Sequence, residues 1–355
     1  MTGRAAPPFA APPGTLDTLG MWPAAAALPE QMALARRAGR GLGRPVDPST
    51  VTGVVVVGTG TAATAGELVA AVCELRLPLP VQSVSSGELP AHVGPGTLVF
   101  AISPTGDTDE VVSAAEQATV AGAPVVALTG GGALGAMADA EGWPRTGIAG
   151  GLPMDRAALV AMAVPPLVVL EAIGLLPGVD EQLAAAEEQL AARRRQVFGP
   201  DSPAAEIARR LGRTIPVVHG AHPLGAVAAR HWKRQVNLNA KGPAFSASMP
   251  ELCHDEVAGW GQSGDVTRQI MTLVTLRTGH ELPGIARRFA LVAELLDEVV
   301  ADVVEVVAAG HGGLARLFDL VLVGDAVSLH LAAHDGIDPG PAPAVTDIES
   351  ALAGG

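Results

Sequence analysis

The chain has 355 residues, of which 48% are apolar and 3% aromatic with no tyrosine, and its net charge is −13. That length exceeds what one hydrophobic core usually serves and favours two domains, while an acidic chain poor in stacking side chains argues against nucleic acid as a partner. Cys73 and Cys253 sit in unrelated segments without ligand spacing, so neither a disulfide framework nor a metal site is supported and both read as small core residues.

Residues 1–14 are rich in Pro and Ala, and residues 1–20 read as a disordered lead-in. No basic segment followed by an apolar one opens the chain, which leads to an expectation of a cytoplasmic protein. Four apolar runs follow, Val54–Val57, Val81–Val84, Leu98–Ile102 and Val125–Leu128, each of strand length and continuous rather than alternating. Such runs belong to strands covered on both faces, hence to a parallel sheet. Between them, Ala62–Leu75 and Thr108–Ala121 carry helical spacing, with glycine-containing turns at the junctions. This is the pattern of a doubly wound α/β domain.

A mean hydropathy of +0.35 raises the question of a membrane. The richest apolar stretch, Met162–Leu176, is broken by Pro165, Pro166 and Glu171 and is too short to span, so it reads as a buried helix and no membrane association is expected. Residues 178–203 hold an Ala/Glu/Gln helix ending in Arg193, Arg194 and Arg195 between Pro/Gly-rich turns, and read as a connection between a first domain, 21–177, and a second, 204–355. In the second, Ile215–Val218, Ile270–Leu276 and Leu320–Val323 read as strands. Leu224–Gln235 reads as a helix, and Leu291–Val307 as a helix running into a strand. The architecture of the first half would thus be repeated.

Two segments carry chemistry. Gly58-Thr59-Gly60-Thr61-Ala62-Ala63 closes the first strand and opens a helix, where backbone N–H groups meet an anion. Its letters fit G-x-G-x-x-A, but the second strand ends in Val84-Ser85-Ser86 without the acidic residue that grips a ribose, so no dinucleotide cofactor is expected. The second segment, Ser103-Pro104-Thr105-Gly106-Asp107-Thr108, places three hydroxyls at the carboxyl end of a strand. They either converge on one phosphate or form a turn in which Thr108 merely caps the next helix. The position at strand ends favours binding.

These segments, with Gly122-Ala123-Pro124-Val125 through Gly132, resemble the sugar isomerase (SIS) domain. The resemblance implies that Ser103, Thr105 and Thr108 hold a sugar phosphate and that Gly60 lines the same pocket. Arg230 through Lys241, then Met249-Pro250-Glu251-Leu252-Cys253-His254-Asp255-Glu256, and Gly336-Ile337-Asp338-Pro339 narrow it. They resemble the bifunctional phosphoglucose/phosphomannose isomerases, a likeness that covers most of the chain beyond residue 50 and implies two SIS-type domains. It further implies a phosphorylated hexose as substrate, Arg156 as a substrate contact and His254 as the ring-opening histidine. A homodimer with shared active sites is also implied, His254 entering the partner's site.

Aldose–ketose isomerisation moves a proton between C1 and C2 and needs a carboxylate-type base. In the family a glutamate lies within Asn-Glu-Asn, and here Leu238 takes its place between Asn237 and Asn239. A lysine expected near the C-terminus is replaced, on the best local match of Val345 and Ile348, by Glu349. Two readings follow: an isomerase whose base is supplied by another carboxylate, such as Glu256 or Glu251, or a sugar-phosphate-binding protein without catalysis. His219 and His222 lack a third ligand for a metal. Arg230, His231, Lys233 and Arg234 read as the charged face of a helix, although they could neutralise a ligand phosphate.

Overall fold

The computed structural model describes residues 9–148, 151–199 and 201–353. Two short helices, α1 (Met21–Ala26) and α2 (Leu28–Gly41), lead into β1 (Gly53–Val57), α3 (Gly60–Cys73), β2 (Val81–Val84), β3 (Thr97–Ser103), α4 (Asp109–Val120), β4 (Val125–Thr129), α5 (Gly132–Glu141) and β5 (Arg145–Thr146). All strands of this sheet run parallel in the order β2-β1-β3-β4-β5, with Val55 opposite Val99 and Val99 opposite Val125. Every residue of β1, β3 and β4 is buried, as expected for strands with helices on both faces.

α6 (Leu159–Ala172) and α7 (Val179–Val197) follow, then α8 (Pro203–Leu211). α6 is apolar all round and runs unbroken through Pro165 and Pro166, with every residue from Leu159 to Leu170 buried. The second sheet collects β6 (Ile215–Ala221), α9 (Leu224–Gln235), β7 (Phe245–Met249), α10 (Gly264–Ile270), β8 (Met271–Arg277), α11 (Pro283–Leu296) and β9 (Asp302–Val307). Its parallel order, β7-β6-β8-β9, matches that of β2-β1-β3-β4 in the first. The architecture therefore repeats: two parallel sheets, each flanked by helices. α12 (Gly313–His334) and α13 (Pro343–Ala353) complete the chain.

One sequence expectation fails. Leu320–Val323 is not a strand but lies inside α12, where every residue from Leu317 to Leu329 is buried. A short, wholly apolar run carries no periodicity to separate a buried strand from a buried helix. The expected element Leu291–Val307 resolves into the end of α11 and β9. The edge strand β7, Phe-Ser-Ala-Ser-Met, was not expected, because its small polar residues lack the β-branched signature and only Met249 is fully buried.

The largest core unites both sheets. Val54 and Val56 of β1 and Phe100 of β3 belong to the same apolar cluster as Val218 of β6, Val274 of β8 and Phe318 of α12, through α3, α6, α7 and α9. Separate clusters cover the outer face of each sheet. In the lead-in, Thr18 donates to Asp338 at 2.5 Å, while residues 1–8 lie outside the described residues. Among the described residues no helix is long and apolar enough to cross a membrane.

Candidate functional site

In the first sheet α3 returns the chain from β1 to one neighbour, β2, whereas β3 starts the other half of the sheet. The crevice beyond the carboxyl ends of β1 and β3 is therefore a topological switch point, the place where open α/β sheets bind ligands. A cavity of about 910 Å³ opens there, lined among others by Thr59, Gly60, Thr105, Thr108, Arg156 and Leu238. The N-termini of α3 and α4 both face it, so two sets of unpaired amides and two positive dipole ends point at one space.

The loop after β3 is braced from behind. Ser103 is buried, its Oγ accepting the Gly106 N–H at 3.0 Å and lying 2.8 Å from Thr108 Oγ1. Thr108 stands at the N-cap position of α4, yet its hydroxyl makes no cap bond there. Its hydroxyl turns instead towards Ser103 at the cavity wall. Gly106 has φ +87°, and a Cβ would stand 1.8 Å from the Gly131 carbonyl oxygen. That close approach packs the loop onto the Gly130–Gly132 turn, where Gly130 N–H donates to Pro104 O and Leu134 N–H to Gly106 O. Thr105 is left exposed at the rim. Among the expected phosphate contacts, Gly60, Thr105 and Thr108 line the cavity directly, and Ser103 orients Thr108 from the layer behind.

Arg156 joins the two halves. It follows Asp155 in a 3₁₀ turn, is buried, and donates from Nε to Asn239 Oδ1 at 2.8 Å and from Nη2 to the carbonyls of Pro339 and Gly340. Asn239 is itself held by donating to Gln235 Oε1 and Ser328 Oγ. Burial lowers the guanidinium to about 10, so it stays charged at neutral pH. Pro339, which ends the Gly336-Ile337-Asp338-Pro339 segment, and the following Gly340 supply the carbonyls, and Asp338 accepts from Gly340 N–H and Thr18, fixing the turn. Arg156 Nη1 has no hydrogen-bond partner among the described residues, and the residue lines the cavity.

Leu238 lies on a π-helical turn, Val236–Ala240, that follows α9. A π-turn shifts side chains off the α-helical register and recurs at functional sites. Here it presents Asn237 and Leu238 to the cavity and turns Asn239 inwards to Arg156.

Lys233 and Arg234, which the sequence favoured as part of a solvated helix face, line the cavity as well. Arg234 Nη2 lies 3.5 Å from where a Cβ on Gly60 would stand, placing a cation over the first glycine turn. Burial lowers its pKa and Glu67 opposes the shift. Arg230 instead pairs with Glu67, and His231 is buried with Nε2 2.7 Å from Asp325 Oδ1. The basic cluster was visible in the sequence, but which of its members turn inwards depends on how α9 packs against α3 and α12.

His254 is not brought to this cavity within the chain. It is exposed after a 3₁₀ turn, Glu251–Cys253, its N–H donating to Glu251 O at 2.8 Å. Neither Glu251 nor Glu256 lines the cavity. Glu256 Oε1 lies 2.6 Å from the Nε2 of buried His219, so this carboxylate ties its loop to β6. No cluster of metal-binding side chains occurs among the described residues. Cys73 is buried, which pushes its thiol up to about 12 and suits a core residue.

Comparison with known proteins matches residues 200–352 to the bacterial phospho-glucose isomerase C-terminal SIS domain and residues 52–140 to the SIS domain. The bifunctional phosphoglucose/phosphomannose isomerase of Caldicellulosiruptor bescii is 31% identical over 331 residues, 92% of this chain and 97% of the relative. The chain belongs to this isomerase family. The Aquifex aeolicus member is also 31% identical, over 86% of this chain and 92% of its own length. The fold is shared more widely: tagatose-6-phosphate ketose/aldose isomerase from Escherichia coli superposes with a TM-score of 0.66 at 14% identity, covering 90% of this chain and 94% of that one. The family is one of sugar-phosphate isomerases, and the cavity at the switch point of this member is lined by residues of both halves of the chain.

Proposed function

We propose that the protein binds hexose 6-phosphates and interconverts fructose 6-phosphate with glucose 6-phosphate or mannose 6-phosphate. The observation that carries this reading is the convergence of Thr105, Thr108, the Gly60 turn and Arg234 on one cavity that also holds Arg156. Hydroxyls, two helix starts and a guanidinium suit a phosphate dianion. Arg156, pre-oriented by three fixed acceptors, suits the sugar hydroxyls and the oxyanion that forms as C1 and C2 exchange a proton.

In this reading Ser103 holds Thr108 in place, and His254 opens the sugar ring from a second copy in a cytoplasmic homodimer. Exposure of His254 outside its own cavity favours that arrangement, and an imidazole can both give and take a proton in ring opening. Leu238 in the cavity wall favours a second reading, a sugar-phosphate binder without turnover, because leucine transfers no proton.

The test is calorimetric titration with fructose 6-phosphate beside a coupled assay for both aldose products, on the natural protein, Thr108→Val and His254→Ala. Thr108→Val removes a charge-assisted hydrogen bond and should weaken binding about tenfold. His254→Ala should retain binding and lose turnover of the ring-closed sugar. Binding without turnover in the natural protein would select the second reading, and absence of binding would overturn the ligand class.

A further inference from the structure

Resting on that reading, we propose that the base that moves the proton between C1 and C2 is Glu349 of α13, which supplies across the cavity the carboxylate absent at Leu238. Four carboxylates line the cavity, those of Asp107, Glu110, Asp155 and Glu349. Asp107 is occupied, since its Oδ1 accepts the Ala133 N–H at 2.9 Å. Glu110 sits in the first turn of α4, beside Thr108, where the phosphate would bind and where a base would face the wrong end of the sugar. C1 and C2 are the carbons remote from a 6-phosphate. They therefore fall to the rest of the wall, where Asp155, Arg156, Leu238 and α13 stand.

Glu349 has the placement a base needs. Ala342, Val345, Thr346, Glu349 and Leu352 all line the cavity, and their spacing makes them one face of α13 and the turn before it. Glu349 is the single charged residue on that face. It has no hydrogen-bond partner among the described residues, and neither does the side chain of Asp155, so both carboxylates are uncommitted. Partial loss of hydration and, second, the Glu349 charge push the Asp155 carboxyl above its ordinary range. Of the two, Asp155 is the one whose charged form is disfavoured, so the base is assigned to Glu349.

The step balances within the substrate. On the open-chain aldose the Glu349 carboxylate takes the proton from C2. The C–H electron pair forms the C1–C2 double bond and O1 becomes an oxyanion facing Arg156. Glu349 returns its proton to C1 while the O2 proton passes to O1, leaving O2 as the carbonyl of the ketose. No outside co-reactant is needed.

Solvent exchange reads this step directly. Fructose 6-phosphate in deuterium oxide is followed by proton NMR for label entering C1, beside a binding titration of the same sugar phosphate. For Glu349→Gln the expectation is a loss of exchange of about 10²- to 10⁴-fold with affinity kept within about threefold. Exchange by Glu349→Gln within about threefold of the natural protein would overturn the assignment. So would fructose 6-phosphate binding to the natural protein with no exchange at all, which leaves the ligand class standing; failure of the natural protein to bind it would instead overturn the functional reading beneath.

Discussion

Lys241 shows how a single side chain reports on the state of the site. It sits just past the π-turn with φ 56°, and its Nζ donates to Leu238 O and, at 3.3 Å, to Pro339 O. The same ammonium therefore touches the turn that carries Leu238 and the segment that holds Arg156. Burial first, then the Arg156 charge, lower its pKa from 10.5 to about 8, with Asp338 opposing. A lowered lysine pKa means the neutral amine appears two to three pH steps early, and only the neutral amine is a nucleophile. Acylation of Lys241, followed by peptide mass spectrometry across pH, should reach half its limiting rate near pH 8; a half-point near 10.5 would mean that the Arg156 charge and the burial around it do not act on this site. Lys241 was legible in the sequence only as a letter in a basic stretch, because the charges that act on it, Arg156 and Asp338, are distant in the chain. Thr105, Thr108 and Gly60 were legible for the opposite reason: their chemistry lies within one strand-to-helix turn each. Arg234 and Glu349 fall between, visible as charges but assigned to the cavity only by the packing of α9 and α13.

At the level of elements, α12 is where local reading failed and where packing decides. Continuous apolar runs identified β1, β3, β4, β6 and β8, since five to seven buried residues bounded by turns fit a parallel strand. The run Leu320–Val323 has the same composition, but it is a fragment of a 22-residue helix whose whole circumference is covered, so neither period nor polarity marks it. The contact that orients this helix is with Trp232 of α9, whose Nε1 donates to Leu320 O at 2.7 Å. Gly324, one turn on, leaves room for the indole: a Cβ there would stand 2.4 Å from Cδ1 and 2.4 Å from Nε1. Gly324→Ala sets two effects against each other, a helix-propensity gain of about 1 kcal/mol and the strain of overpacking. Trp232 is 1% exposed and hydrogen-bonded, so it cannot move aside and the strain wins. The variant should lose about 1–2 kcal/mol in urea unfolding. An unchanged or raised midpoint would show that the α9–α12 contact yields.

Across the whole molecule, the duplicated sheets suggest two independent units, and 355 residues exceed the size at which two-state unfolding is usual. The core argues for coupling. Residues of β1 and β3 share one apolar cluster with residues of β6, β8 and β9, and α12 packs against α7 as well as α8 and α9. Polar ties run the same way: Arg156 to Asn239 and Pro339, and Arg193 Nε to buried Asp319 at 3.1 Å. Unfolding either sheet alone would expose apolar surface on the other and leave buried charges such as Arg156 and Asp319 without partners, a cost of about 3–5 kcal/mol for a broken buried pair beyond the surface term of about 25 cal/mol per Å². Pulse labelling of amides across a urea series should therefore give β1 and β8 peptides one common midpoint. Separate midpoints would mean that the halves fold as domains docked through a weak interface; a shared midpoint means that the switch-point cavity, built from both halves, forms only when the whole chain does.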